Sequence, residues 1–301
     1  MLWDSVFVNV DGSVYTCCHA RPFKIGNLHE RSLADIWSHG RRLRLARFLS
    51  LHHRLFCCYR CNIVSADCRQ ADRYASRPYP RTVRLLLSRF CNIDCVMCRQ
   101  KHREREGMDL QVLQSRIAWR LVEEVELQGG EVLALPQARD FYRWACASTQ
   151  ASINLITNGT LLDADWAGLL VRGSDWVEIS VNAATRETHE LVNRGSRFDR
   201  VVANVKMLVE AKRRARSATR VIYKFTIIPE NLREIPDAIA LADTLGCDEI
   251  AFGYSGAVPE WLRREKETKE AVRERIAEAA SAAKNVKVNR QRLRTLDLVP
   301  E

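Results

Sequence analysis

Glycine and proline are both scarce in this 301-residue chain, at 13 and 8 residues. That scarcity excludes collagen-like repeats and low-complexity linkers. No run approaches the roughly 18 consecutive apolar residues that a membrane-spanning helix needs, and the opening MLWDSVFV has no basic segment ahead of an apolar one. The expectation is a soluble, unexported, cytoplasmic protein. A P-loop, a Ser/His/Asp order and a competing carboxylate pair are also missing, so those chemistries have no motif to stand on. Apolar material is plentiful: 47% hydrophobic beside 28% charged residues supports a real core and excludes disorder. The length suits one large α/β unit with a small extra domain, or two ordinary domains.

Lysine and arginine (47) exceed aspartate and glutamate (37), a net charge of +10. Such a balance suits an acidic partner. The basic clusters RRLRLAR (41–47), RQKHRER (99–105) and KRRAR (212–216) interleave with apolar residues or sit beside acids. They read as solvated helix faces, and nucleic acid is not an expected partner. The anomaly is eleven cysteines. The count is odd and no export signal precedes it, so a disulfide framework is a poor reading. The cysteines clump as 17 and 18; 57, 58, 61 and 68; 91, 95 and 98; with Cys146 and Cys247 alone in apolar runs as core residues. Clumping at short spacing points to metal.

Residues 1–80 are cysteine-rich without a repeated rhythm. VFVNV-DG-SVYTC reads as a hairpin whose Asp-Gly pair suits a type I′ turn, and SLADIWSHGRRLRLARFLS as helix with Ser32 as N-cap. SRPYPR (76–81) marks a boundary. Beyond it, strands at 82–88, 125–128, 152–156, 175–181, 221–228 and 248–253 alternate with helices at about 109–124, 137–147, 162–171, 186–215, 232–245 and 260–283. Six strands alternating with helices predict a parallel sheet with its working face at the strand C-terminal ends. NVKVNR (285–290) adds a short strand or a tail.

Directly after the first of these strands comes FCNIDCVMCRQ, with Cys91, Cys95 and Cys98 on one loop. Three thiolates can hold three irons of a cubane cluster and leave the fourth open, which separates a reactive centre from a closed structural one. The alternative is a Cys₃His zinc site completed by His102.

A C-x₃-C-x₂-C loop after strand one of a six-fold β/α chain resembles the radical S-adenosylmethionine (SAM) enzymes. Matching pieces follow in register: LQGGE (Gly129, Gly130, Glu131), ITNGT (Thr157, Asn158, Gly159) and ISVNA (Ser180, Asn182). The resemblance covers residues 82–255 and implies an α/β fold, a partial (β/α)6 TIM-like barrel. It implies a [4Fe-4S] cluster on Cys91, Cys95 and Cys98, with the GGE turn close to the methionine end of SAM. Ser180 and Asn182 then lie where relatives contact the ribose or carboxylate, with Thr226 a weaker candidate. Asn158, in a turn that many relatives share, is a further cofactor-binding candidate, and Met97 fills the adenine side where many relatives carry an aromatic residue. Val132 is a second departure, where relatives often have proline. The implied chemistry is one-electron cleavage of SAM to methionine and a 5′-deoxyadenosyl radical, which abstracts hydrogen from a substrate.

The N-terminal segment, with DGSVYTC, IGN…SLADIW and CCYRCNIVSADC, resembles the SPASM/twitch domains that carry auxiliary iron–sulfur clusters. The implied ligands are Cys17, Cys58, Cys61 and Cys68 for one auxiliary [4Fe-4S] cluster, with Cys18 and Cys57 as substitutes and a zinc ribbon as the alternative. The expected segments are 1–80 (auxiliary cluster), 81–255 (barrel) and 256–301 (helix and tail). Expected partners are a reductant such as flavodoxin or ferredoxin and a peptide or protein substrate. A sugar or other small molecule comes second, and a cluster- or zinc-binding scaffold without turnover is the non-enzyme alternative.

Overall fold

The computed structural model describes residues 4–16, 23–52, 77–98, 100 and 107–300, with main chain alone at 49–52. In chain order its elements are β1 (Ser5–Val8), β2 (Ser13–Tyr15), β3 (Lys24–Asn27), α1 (Leu33–His39), α2 (Arg41–His52), β4 (Thr82–Leu86), the two-residue β5 (Asp94–Cys95), α3 (Leu110–Arg116), β6 (Glu124–Gln128), α4 (Ala138–Ser148) and β7 (Ser152–Thr157). There follow α5 (Ala164–Gly173), β8 (Trp176–Ser180), α6 (Arg186–Val192), the two-residue β9 (Asn193–Arg194), α7 (Phe198–Ala215), β10 (Arg220–Ile227), α8 (Ile235–Leu245), β11 (Glu249–Tyr254), α9 (Val258–Arg264), α10 (Lys266–Ala282) and β12 (Lys287–Val288). All six strands expected from the alternating pattern are present. NVKVNR contributes β12, which pairs with β11 in parallel.

The described residues of Met1–Phe90 and Arg103–Asn154 form one compact unit, and those of Cys91–His102 and Leu155–Glu301 another. In the first, β4 lies parallel to β6 and to β1, with Ser5 opposite Thr82 and Val8 opposite Leu85. The N-terminal hairpin therefore shares its hydrogen bonding with the first strand of the β/α series. The segments drawn from sequence at 80 and 255 stand as a proposal about which stretch carries which cofactor.

The hairpin forms, but its turn is not type I′. That turn needs positive φ at both central residues, and within Asn9–Ser13 only Gly12 has it, at 74°. Gly12 N–H donates to the Asn9 carbonyl and Asn9 N–H to the Ser13 carbonyl, each at 2.9 Å. This is a type I turn closed by a left-handed glycine. Asp11 holds it, its carboxylate accepting from Ser13 N–H and Asn9 Nδ2, each at 3.0 Å.

In the second unit β7, β8, β10, β11 and β12 run parallel in that order. Val221, Tyr223, Phe225 and Ile227 of β10 are buried, while the alternate residues Arg220, Lys224 and Thr226 are more exposed. α8 packs on β10 and β11 with Ile235 and Ile239 fully buried. Each such side chain contributes about 1.5–3 kcal/mol relative to exposure.

The helix expected over 186–215 is two helices. α6 ends at Val192, and Asn193–Arg194 leave the axis as β9 before α7 begins at Phe198. The break is held by His189, fully buried, which donates from Nδ1 to the Val181 carbonyl at 2.9 Å and accepts at Nε2 from Ser196 Oγ at 2.8 Å. The other long runs also divide: Gly40 separates α1 from α2, α3 stops at Arg116, and Glu265 separates α9 from α10. Ser32 caps α1 as expected, accepting from Asp35 N–H at 3.1 Å.

Gly12 carries the clearest local test. A Cβ there would lie 2.5 Å from His29 Cδ2, on a residue already at positive φ. Gly12→Ala should cost on the order of 1–2 kcal/mol, read as a lower urea midpoint at unchanged slope. An unaltered midpoint would show that the turn relaxes.

Candidate metal and cofactor site

Between Cys91 and Cys98 the chain has little regular structure of its own. Cys98 N–H donates to the Cys95 carbonyl at 3.0 Å, and Ile93 is buried. The loop is fastened through β5, which pairs antiparallel with β9, Asp94 opposite Arg194 and Cys95 opposite Asn193. Val96 N–H extends the ladder to the Val192 carbonyl at 2.9 Å. The helix break thus gives the cysteine loop a strand to bind.

Cys91 and Cys95 are half-buried and Cys98 is exposed. Burial pushes the Cys95 thiol up to about 12, with Cys91, Cys98 and Asp94 adding like-charge repulsion. Thiols crowded in this way ionise only when a cation takes the place of the proton. The donor set fits an iron–sulfur cluster, for which thiolate is the usual ligand. Among the described residues no three His, Cys, Asp or Glu side chains converge on a point suited to a single ion; a cubane places its thiolates on separate irons. His102, the proposed fourth zinc ligand, lies outside the described residues.

Two amides reach the cysteines. Asn158, in the turn after β7, donates from Nδ2 to Cys91 Sγ at 3.7 Å and to Asn92 Oδ1 at 3.0 Å. Its Oδ1 accepts from Thr160 N–H at 2.9 Å and from Thr160 Oγ1 at 2.7 Å, and Asn92 Nδ2 donates to Thr160 Oγ1 at 2.8 Å. On the opposite flank Cys95 Sγ donates to Asn193 Oδ1 at 3.3 Å. Asn193 is buried and its Nδ2 donates to the Val181 carbonyl at 2.7 Å.

Asn182, just past β8, is buried with φ at 60°. Its Oδ1 accepts from Thr226 N–H at 2.8 Å, its Nδ2 donates to Asn193 Oδ1 at 3.1 Å, and its carbonyl accepts from Asn231 Nδ2 at 2.8 Å. The side chain acts as a strut between β10 and the helix break. Ser180 is half-buried at the end of β8, opposite Lys224, and Met97 is half-buried beside Cys98.

In the first unit the GGE turn is held by the exit of β4. Leu87 N–H donates to the Gln128 carbonyl at 3.0 Å, Gly130 N–H to the Ser88 carbonyl at 2.8 Å and Glu131 N–H to the Phe90 carbonyl at 2.8 Å. A Cβ on Gly129 would lie 2.5 Å from the Ser88 carbonyl oxygen, and one on Gly130 2.1 Å from that of Phe90. The tightest demand for glycine here comes from the protein's own backbone, a reason the motif alone does not reveal. Glu131, buried, caps the following turn by accepting from Leu133 N–H at 2.9 Å. This unit also contains a cavity of about 740 Å³ whose lining includes Phe90, Met108, Leu110, Leu135 and Pro136.

The second cysteine set, Cys17, Cys58, Cys61 and Cys68 with the substitutes Cys18 and Cys57, lies outside the described residues. Cys247 is buried as expected for a core residue, whereas Cys146 is exposed on α4. The expectations from sequence did not include Asn92, Thr160, His189 or Asn193. The signal for Asn193 was the turn-forming NRGS inside an otherwise helical pattern.

A family model described as the radical SAM superfamily matches residues 85–242, and one described as an iron–sulfur cluster-binding domain, SPASM, matches residues 1–62. Probable GTP 3′,8-cyclases are similar: that of Metallosphaera sedula is 32% identical over 186 residues, 60% of this chain and 56% of its own length. One from Saccharolobus islandicus is 26% identical over 184 residues, 60% of this chain and 58% of its own. The chain thus spans little more than half the length of these relatives. Among solved structures, Streptococcus suis SuiB bound to precursor peptide SuiA aligns with TM-score 0.54 at 15% identity, covering 82% of this chain and 53% of SuiB. SuiB bound to S-adenosylmethionine aligns with TM-score 0.52 at 14% identity, covering 82% and 55%. These likenesses show the fold, the partial (β/α) barrel expected from the strand–helix alternation.

Two outcomes follow for this site. Anaerobically prepared protein should carry about eight irons per chain, as two four-iron clusters, and Cys91→Ala with Cys95→Ala and Cys98→Ala should remove about half; iron counting with zinc as control checks it. Gly130→Ala should lower the thermal midpoint and SAM affinity together, because its Cβ meets backbone before it meets any ligand. Lost affinity at an unchanged midpoint would make the glycine a ligand contact instead.

Proposed function

The chain belongs to the radical SAM superfamily, and from that premise we propose that it is an enzyme that abstracts hydrogen from a peptide or protein substrate and so modifies it. The observation that carries the reading is the three-thiol loop, in which Cys91, Cys98 and Asp94 crowd the half-buried Cys95. When bound, the cluster and SAM supply an electron and a 5′-deoxyadenosyl radical able to attack an unactivated C–H bond.

The chain's own residues have distinct tasks. Cys91, Cys95 and Cys98 hold three irons and leave one for SAM. Gly129, Gly130 and Glu131 would serve the methionine end of SAM, and Asn158, Met97 and Ser180 would be further contacts for it. Asn182, committed to Thr226 and Asn193, holds β10 to the helix break that flanks the cysteine loop. Cys17, Cys58, Cys61 and Cys68 would hold the auxiliary cluster, a group able to exchange electrons when bound, and a flavodoxin or ferredoxin is the proposed reductant.

Two features favour a peptide over a nucleoside triphosphate. Both cations of β10 stand against carboxylates, Lys224 with Glu178 at 3.1 Å and Arg220 with Glu249 at 3.3 Å, which leaves this strand no excess positive charge. The lining of the cavity in the first unit mixes Phe90, Met108 and Leu135 with Ser88, Asp109, Gln111 and Gln137, and among the described residues it offers a carboxylate and no cation to a triphosphate. The second reading is a nucleotide or other small molecule, favoured by the 32% identity to a probable GTP 3′,8-cyclase. Among the described residues no helix is long and apolar enough to cross a membrane.

With SAM and a strong reductant the protein should release 5′-deoxyadenosine and methionine slowly. A peptide encoded beside its gene should accelerate that release, and GTP should not; acceleration by GTP alone would establish the second reading. Cys58→Ala with Cys61→Ala should keep substrate-free cleavage and abolish product, with circular dichroism showing the barrel folded.

A further inference from the structure

The two amides at the cysteine loop present opposite ends to sulfur. Asn158 turns its N–H toward Cys91, and Asn193 turns its carbonyl oxygen toward Cys95. Neither orientation is free to reverse, because main-chain groups fix both. Asn158 Oδ1 must be the acceptor, since it takes the Thr160 main-chain N–H. Asn193 Nδ2 must be the donor, since it faces the Val181 carbonyl. Asn182 fixes Asn193 a second time: its own Oδ1 takes the Thr226 main-chain N–H, so its Nδ2 is the end that meets Asn193 Oδ1.

Once iron replaces the Cys95 proton, the Asn193 oxygen has no hydrogen to accept from that sulfur. What remains beside the thiolate is the negative end of a fixed dipole. It disfavours added negative charge on the cluster, so it makes reduction harder. The Asn158 N–H does the reverse, since hydrogen bonds to cluster sulfurs stabilise the reduced state. We propose that Asn193 and Asn158 are positioning residues that bias the reduction potential of the SAM-binding cluster in opposite directions, Asn193 lowering it through Cys95 and Asn158 raising it through Cys91. A low potential is what reductive cleavage of a sulfonium demands, and Asn193 is the residue that secures it. The inference rests on the proposed function, since it needs a cluster on this loop.

The test is the midpoint potential of the reconstituted protein, followed on the reduced-cluster resonance that Cys95→Ala abolishes. Asn193→Leu should shift the midpoint upward and Asn158→Ala downward, with iron content held as in the parent protein. Asn193→Ser, a milder change that also removes the carbonyl, should move it the same way as Asn193→Leu and serves if the larger change prevents cluster assembly. Asn158→Ala decides in every case: a midpoint that rises or stays in place overturns the proposal, as does a downward or absent shift in the Asn193 variant. Absence of any cluster in the parent protein would instead sink the proposed function, so the two failures are distinguishable.

Discussion

Three thiols sit within eight residues, the half-buried Cys95 has Asp94 next to it, and each thiol would become anionic on taking up the proposed cluster. Their mutual repulsion is the constraint around which the second unit is arranged. The loop cannot hold itself, because two residues of strand and one turn hydrogen bond supply little structure against that repulsion. It is fastened from outside instead, by the Asn158 turn on one flank and the β9 ladder on the other. In the proposed function iron would offset that repulsion by ligation, and the fastening is what keeps the thiols near one another without it.

That fastening explains conformations that would otherwise look costly. Asn182 sits at φ 60°, a left-handed geometry that asparagine tolerates better than most residues. Thr226, Asn193 and Asn231 each bond to it, so the surrounding strands over-determine its placement. The interrupted helix follows the same logic. A continuous helix over 186–215 would satisfy its own backbone and offer the cysteine loop nothing. By ending α6 at Val192, the chain gives up one turn of helix and gains a strand edge for Cys95.

Much of this was legible in the sequence. The six strands stand out because apolar residues cluster over four to eight positions between helical periods, and the cysteine loop stands out because its spacing is chemical. The break at Asn193 was hidden, since Asn-Arg-Gly falls in a charged amphipathic stretch that reads as helix on either side. The type I′ turn failed because Asp-Gly suits two hairpin loops equally well, and the Asp11 carboxylate selects the longer one. Glycine in LQGGE was read as room for a ligand, whereas the Phe90 carbonyl occupies the nearest space. A sequence records that a position must be small without recording what crowds it. Neighbouring cysteines such as Cys57 and Cys58 are alike in the same sense, since spacing cannot rank adjacent thiols.

The shared segment and the remainder of the chain carry different information about function. The cysteine loop, the GGE turn and the Asn158 and Asn182 positions all fall inside residues 85–242, the stretch that matches the superfamily. Proteins named for GTP cyclisation and one crystallised with a peptide both resemble this chain, so the likeness does not by itself select a substrate. A radical that abstracts hydrogen has little selectivity of its own, so the choice of substrate must come from shape and charge around it. In this chain the N-terminal SPASM match lies outside the superfamily segment, as do residues beyond Ala242 such as Glu249, which pairs with Arg220. Identity to a cyclase over 186 residues therefore bears on the shared chemistry. The paired charges on β10 and the cavity lining, cation-free among the described residues, are the features on which the proposed choice of substrate rests.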